Sequence, residues 1–368
     1  MNLPTNAPAH LHGPLAPATT HRLKRRRLVL AYKNFAANRH ISHIGLGVAA
    51  LNTAKVLRRL GVEVDVWPIV SAAELRQRLA AAAGQAITHI VISAPWIPTL
   101  ELQALTLDYP NIQWAMNCHS NVGFLQADVR GVQYFREALA LERAAHNFHA
   151  AGNSPLFTAW VEETFTVPCT WLPNLYYLDR HTPTQRTPWH RGVLRIGSFS
   201  AVRPLKNLLT AAAAALDIGV ALRTDLEFWV NSGRAEGGGG TVEQAILALY
   251  AGLPQAKVVQ QPWQPWPDFR RTVSHMALLI QPSYTESFSM VTADAIAEGV
   301  PVVGTDVLYW LPPHWQAPAD QAHEVARVGL SLLQNPHAPR EGLEALQGHD
   351  AAGTRAWVSY LTGDAYAV

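Results

Sequence analysis

Apolar runs of strand length alternate with helix-length segments along most of this chain, in two successive blocks. In the first block, residues 28–32 read as a buried strand. A loop with Gly45 and Gly47 then leads into a helix whose apolar positions are Val48, Leu51, Ala54 and Leu57. Val62, Val64 and Val66 alternate with Glu63 and Asp65, the period of a half-buried strand. Residues 87–93 and 112–117 read as further strands, and 128–147 as a long helical stretch. The pattern stops near 173–177 and restarts at 193, with strands at 193–198, 226–230, 256–259, 277–281 and 301–304. Helices fall between them at 207–216, 242–251 and 288–298. Strands separated by helices of this length pair in parallel, with helices on both faces of the sheet. The expected fold class is therefore α/β, with two tandem doubly wound, Rossmann-like domains facing each other across a cleft.

The pattern implies a flexible basic tail at 1–27, an N-terminal domain at 28–178, a linker at 179–192 and a C-terminal domain at 193–348. Residues 349–368, with Trp357, Tyr360 and Leu361 at helical spacing, read as a helix that packs back on the N-terminal domain. With 49% hydrophobic and 15% charged residues, the chain can bury a large core, which excludes wholesale disorder. Lys and Arg number 29 against 27 Asp and Glu, a net charge of +2 that argues against a strongly basic nucleic-acid binder. Asp217, Asp294 and Glu298 interrupt the most apolar stretches, so no membrane span is expected. Cys118 and Cys169 make neither a disulfide scaffold nor a zinc pattern; they read as buried reduced thiols of a cytoplasmic protein. Arg22, Lys24, Arg25, Arg26 and Arg27 form a solvated strand entry or a contact for anionic lipid or phosphate. Gly237 to Gly240 read as a flexible loop tip, because no Lys-Ser/Thr follows as in a phosphate cradle.

Ligands bind parallel sheets at the carboxyl ends of the strands. That makes residues 281–303 the most informative segment. A strand ends at Gln281, a turn carries Glu286, a helix starts at Ser287 to Ser289, and Gly299 with Pro301 ends it. Amides at a helix start suit a diphosphate, and Glu286 and Asp294 suit sugar hydroxyls. The simpler alternative is that Ser287 caps the helix and Glu286 favours its dipole. Trp263, Trp266, Trp310 and Trp315 read either as platforms for sugars or as packing at the domain edges.

This segment resembles the signature of the retaining GT-B glycosyltransferases, the glycogen-synthase-like and bacterial family-4-type group. Pro282, Ser283, Glu286, Phe288, Ala297, Gly299, Pro301, Val302 and Val303 match its pattern. Asp294 stands where the family usually has Glu, and Ser289 where it usually has Gly. Gly45 and Gly47 are similar to the family's glycine-rich loop beneath the donor diphosphate. Trp171-Leu-Pro-Asn174 resembles the segment that opens the interdomain linker. Arg203, Lys206 and Asn207 resemble the loop whose Arg and Lys clamp the two phosphates, with Ser198 at the usual Arg position. His119 is similar to the family's His near the sugar's hydroxymethyl group.

The resemblance implies a hexosyl transfer with retention at the anomeric carbon, with Glu286 and His119 as the catalytic pair. Gly45, Gly47, Arg203, Lys206, Ser287, Phe288, Ser289 and Asp294 would hold the donor, a nucleotide-diphosphate sugar with UDP or GDP as its base-bearing half. It implies no cofactor and no metal; no Asp-x-Asp stands at a strand end. It also implies closure around the donor. The acceptor is a glycan, a lipid-linked or another hydroxyl, with peripheral contact to an anionic membrane as one route and a nucleic-acid acceptor as a less favoured one. Two alternatives stay open: a catalytically weakened nucleotide-sugar-binding or scaffold subunit, and a sugar-nucleotide epimerase of the same fold.

Overall fold

The computed structural model describes residues 15–34, 43–179, 189 and 192–364. The chain divides into two units, Met1–Tyr177 with His349–Val368, and Leu178–Gly348. Each is a parallel sheet covered by helices, the α/β class that the alternating pattern requires.

The first unit has six strands in the order β2-β1-β3-β4-β5-β6. They are β1 Arg27–Lys33, β2 Glu63–Ile69, β3 His89–Ser93, β4 Gln113–Cys118, β5 Phe148–Gly152 and β6 Thr170–Trp171. Side chains alternate between the two faces. Val29, Ile90, Ile92, Trp114 and Met116 point into one core, shared with helices Ala72–Ala81, Thr99–Asp108, Val129–Ala144 and Pro155–Phe165. Leu28, Leu30, Val91 and Ala115 point into the other, where they meet Ala50, Ala54 and Leu57 of helix His43–Arg59. Trp357, Val358 and Leu361 complete this second core. They belong to the 25-residue helix Ala338–Thr362, which starts among residues of the second unit and ends among those of the first. Trp357 donates its indole N–H to the Pro173 carbonyl at 2.8 Å.

The second unit has five strands in the order β11-β10-β7-β8-β9. They are β7 Leu194–Ser198, β8 Leu226–Asn231, β9 Ala256–Gln261, β10 Leu278–Ile280 and β11 Val302–Val303. Helix Leu208–Leu222, with the short 3-10 turn Pro204–Lys206 before it, is the one described stretch long and apolar enough to cross a membrane. Here Ala211, Ala212, Ala214, Ala215 and Ile218 are fully buried, as in a core helix.

Three expectations need correction. The expected tail does not extend to residue 27: Pro17–Leu23 is a helix, with Pro at its start and Leu23 buried in the core. Its basic run is also engaged. Arg27 lies in β1 and pairs with Glu63 and Asp65 at 2.9 Å each, and Arg22 pairs with Asp364 at 2.7 Å. Residues 1–14 of that tail, and 180–188 and 190–191 of the expected linker, lie outside the described residues.

Gly45 and Gly47 stand inside helix His43–Arg59, not in a loop before it. Gly47 is buried, and a Cβ there would lie 3.2 Å from the Tyr32 ring, so close packing accounts for this glycine. The tetraglycine is no loose tip either. Gly238 (φ +90°) caps helix Gly239–Tyr250, and a Cβ on Gly239 would sit 1.9 Å from the Val202 carbonyl oxygen. The backbones approach so closely because Val202 pairs with the following loop: its N–H donates to the Arg234 carbonyl at 3.0 Å, and its carbonyl accepts from Glu236 at 2.9 Å.

Candidate active site

In the second sheet the chain runs outward from β7 through β8 to β9, then returns to β10 on β7's other side. The connections leaving β7 and β10 therefore run to opposite sides of the sheet, so the carboxyl ends of these two strands are where a ligand is expected. Residues 199–207 and 281–289 lie at this switch point and are joined by three links. Tyr284 N–H donates to the Leu205 carbonyl at 3.1 Å. Asn207 Nδ2 donates to the Pro282 carbonyl at 3.1 Å, and also to that of Ala319. Lys206 Nζ forms an ion pair with Glu286 Oε1, with side chains 15% and 14% exposed.

Local sequence explains why the first loop turns where it does. Pro204 opens the 3-10 turn Pro204–Lys206, and Asn207 closes it at φ +55°, a conformation that Asn tolerates better than most residues. Thr210 Oγ1 donates to Asn207 Oδ1 at 2.7 Å and fixes that side chain. Ser198, at the position the family usually gives to Arg, is fully buried at the end of β7.

Beside this pair lies a second charged group. Arg203 Nε is 3.5 Å from Glu236 Oε2, while Arg234 donates to Glu236 Oε1 from Nε at 2.8 Å and from Nη2 at 2.7 Å. Arg234 is itself buried, with its guanidinium 4.7 Å from the centre of the Trp263 ring. Two guanidiniums thus meet on one carboxylate next to the strand ends. The sequence reading missed Arg234 and Glu236. The available signal was a charged pair two residues apart, directly after a strand and before a glycine run.

The helix of the 281–303 segment is Met290–Ala297, and its N-cap is Ser289, not Ser287. Ser289 has φ +64°, in the region that only glycine enters without strain, which accounts for the family's usual Gly there. Its hydroxyl accepts from Thr292 N–H at 3.3 Å and Thr292 Oγ1 at 2.9 Å, so Ser289 returns in capping part of what it loses in strain. Gly299 (φ +75°) ends the helix, with its N–H donating to the Ile296 carbonyl at 2.9 Å.

The Phe288 side chain is buried and stacks on Trp310 with ring centres 5.4 Å apart. The Trp310 indole donates to the Phe288 carbonyl at 2.9 Å. Trp310 and Trp315 are core residues and not exposed platforms, whereas Trp263 is 38% exposed. Asp294 is only 2% exposed and accepts from the Trp266 indole N–H at 2.9 Å. The second unit thus carries Arg203, Lys206, Glu286, Ser287 and Ser289 on the two loops that follow β7 and β10, while Asp294 lies buried in the helix after them.

The remaining predicted residues belong to the first unit. His119 follows β4, and burial pulls its imidazole down to about 4, so it is neutral at physiological pH. Cys118, at the end of β4, is a buried thiol pushed up to about 12 by desolvation, and Cys169 is likewise buried and reduced. Among the described residues, no three His, Cys, Asp or Glu side chains gather as a metal site would require.

Residues 135–306 match the family model described as family 4 glycosyltransferase in conflict systems. That span holds Arg203, Lys206, Glu286 and Asp294, and leaves out Gly45, Gly47 and His119. No curated protein matches the chain. Among solved structures, a glycosyltransferase from Rickettsia africae ESF-5 is 10% identical with a TM-score of 0.64, over 92% of this chain and 99% of that one. Sucrose-phosphate synthase from Thermosynechococcus elongatus is 15% identical with a TM-score of 0.59, over 92% and 99% of the two chains. Anabaena HepE, solved with UDP and glucose, is 11% identical with a TM-score of 0.55, over 92% and 97%. Likeness at such identities speaks for the fold, and the family match speaks for the segment that carries both loops. This chain has the fold of the GT-B glycosyltransferases, and its residues 135–306 match the model of a family 4 glycosyltransferase.

Proposed function

We propose that this protein transfers a sugar from a nucleotide-diphosphate sugar to an acceptor hydroxyl, with retention at the anomeric carbon. The observation that carries the reading is the braced pair Lys206–Glu286 beside Arg203 at the switch point of the second sheet, inside the family-matched segment. The reaction forms a bond from the acceptor oxygen to the anomeric carbon and breaks the bond from that carbon to the diphosphate oxygen. The acceptor proton leaves with the released diphosphate. Arg203 and Lys206 would stabilise the charge that grows on the departing diphosphate without a metal ion. An ammonium has three donors, so Lys206 can hold Glu286 and a phosphate oxygen together. Glu286, fixed by that contact, would orient the donor sugar by accepting from its hydroxyls. On this reading the first unit supplies the acceptor side. HepE's complex with UDP and glucose supports a uridine donor.

The test is a panel of UDP-, GDP- and ADP-sugars, scored by thermal stabilisation and by slow donor hydrolysis. Stabilisation by one class of nucleotide, with turnover lost in Glu286→Ala, is the expected result. No response to any nucleotide, with a Glu286→Ala variant unchanged in every assay, overturns the proposal. One observation favours a second reading. Asp294 is held by Trp266 and lies out of solvent, which takes one carboxylate from the donor and fits a catalytically weakened subunit. Nucleotide affinity with no turnover across many acceptors would select that reading.

A further inference from the structure

Lys206 is paired with Glu286, and Arg203 meets a carboxylate from a third loop, the one after β8. β7 and β8 are neighbours in the sheet, and their chains pair again beyond the strands, where Val202 bridges Ala235 in parallel. Arg203 and Glu236 each stand one step past that bridge. Successive side chains of paired chains alternate in direction, so these two leave the backbone on the same side. Arg203 Nε lies 3.5 Å from Glu236 Oε2, with the side chains 19% and 23% exposed. Arg203 also precedes Pro204, and it has the extended backbone (φ −145°, ψ +147°) that a residue before proline favours. With the backbone fixed, what remains to be set is the direction of a long side chain.

Glu236 can set that direction because it is held from behind. Arg234 places Nε and Nη2 on Glu236 Oε1, at 2.8 and 2.7 Å, while Oε2 faces Arg203. The Arg234 side chain is 4% exposed, and its guanidinium lies 4.7 Å from the centre of the Trp263 ring. A guanidinium buried to this degree is kept in one place by its carboxylate and its ring. A lone carboxylate close to a diphosphate is unfavourable. Here the Arg234 charge offsets it, so Glu236 can orient Arg203 without repelling the ligand.

We propose that Glu236, backed by Arg234, is a positioning residue that aims Arg203 at the donor diphosphate without touching the donor itself. The inference rests on the transfer reading above. It gives these buried charges a task in binding, because an arginine ordered beforehand loses less side-chain entropy when the diphosphate arrives. It also fixes the sign of a substitution. If Glu236 acted only as a negative charge near the phosphates, neutralising it would tighten diphosphate binding. If it positions Arg203, neutralising it weakens that binding.

The test uses the full chain and isothermal titration with UDP against UMP, and with GDP against GMP. The readout is the preference for diphosphate over monophosphate, in which contacts to base and ribose cancel. Arg203→Gln is expected to lower that preference on the order of tenfold. Glu236→Gln, equal in size and uncharged, should lower it by a similar factor and leave monophosphate affinity unchanged. Added to Arg203→Gln it should cost nothing further, and Glu236→Asp should keep most of the preference. Should Glu236→Gln fail to fold, Glu236→Gln with Arg234→Gln removes both charges of the buried pair together and carries the same expectation. A preference unchanged or raised in Glu236→Gln, but lowered in Arg203→Gln, overturns the positioning role and leaves the transfer reading standing. Equal loss of both nucleotides overturns it too, since a merely structural carboxylate acts in that way. A preference that survives Arg203→Gln also overturns it, because no group is left to position. A parent chain that binds neither UDP nor GDP strikes the transfer reading and takes this inference with it.

Discussion

At the carboxyl edge of the second sheet, loops 199–207 and 281–289 are tied by a backbone hydrogen bond, an Asn side chain and the Lys206–Glu286 pair. At the same edge of the first sheet the Trp96 indole N–H donates to the Ser93 carbonyl three residues before it, and the Lys33 ammonium lies 5.8 Å from the Trp96 ring. The second unit's edge is tied across two distant loops by an ion pair, and the first unit's is held by hydrogen bonds close to the strands themselves. On the proposed transfer this division has a physical reason. A donor diphosphate has a fixed geometry and charge, and fixed dipoles act on it without reorganisation.

The largest effect should come from breaking the brace. Glu286→Ala and Lys206→Ala are each expected to lower turnover by about 10²–10³ in steady-state assays, with nucleotide affinity changed far less for the Glu variant. Because the two side chains act as a unit, the double variant should be little worse than either single one. Fully additive losses would show that the pair is incidental.

Next come two glycines, one from each unit. Gly239→Ala drives a methyl into the Val202 carbonyl and should destabilise the second unit by about 3 kcal/mol. Gly45→Ala meets nothing within 4 Å and sits in a helix, so it should stabilise the first unit by about 0.5–1 kcal/mol. Thermal unfolding followed by circular dichroism separates the two signs. An unchanged midpoint for Gly239→Ala would remove the close approach from the account.

Acid should distinguish the units as well. His89, His119 and His349 are pulled down to about 3, 4 and 4, chiefly by burial, and all three belong to the first unit. A base whose folded value is depressed gives its full stability above its ordinary value of 6.5 and loses it as pH falls towards the folded value. Each of these histidines should therefore weaken the first unit by about 3 kcal/mol between pH 6.5 and 4. The described histidines of the second unit are exposed, so its transition should move less. Asp350 runs the other way. Burial raises it well above its ordinary 3.8, so its contribution is complete below 3.8 and is lost as pH rises through the folded value. Asp350→Asn keeps an acceptor for the Tyr176 N–H and should raise the neutral-pH midpoint of the first unit. A first unit as acid-resistant as the second would contradict this reading.

The smallest effect sharpens the helix start. Ser289→Ala loses the cap but keeps the positive φ, and should cost about 1 kcal/mol. Ser289→Gly loses the cap but relieves the backbone, and should differ from the parent by only about a few tenths. If Ala is tolerated better than Gly in chemical denaturation, strain at this position is absent.

The two sheets were readable because buried parallel strands leave short apolar runs between helices, as at residues 28–32 and 226–230. The 281–303 segment was readable because strand, turn and helix stop signals stand in order there. What local pattern could not carry was proximity between distant residues. Gly47 and Gly239 look like loop residues by propensity, yet a Tyr ring and a carbonyl oxygen explain them inside helices. Nothing near Asp294 announces that Trp266, 28 residues earlier, occupies its carboxylate. Likewise Arg234 and Glu236 acquire meaning only when the fold brings Arg203 beside them.

The helix Ala338–Thr362 has a consequence for how the molecule is made. Residues 1–177 leave the ribosome with one face of their sheet still lacking Trp357, Val358 and Leu361. The later-translated half, 178–348, is one uninterrupted stretch of chain. Synthesis order and folding order are thus expected to be reversed. The half made before 178–348 waits, sticky and in need of shielding, for a plug encoded after the whole second unit.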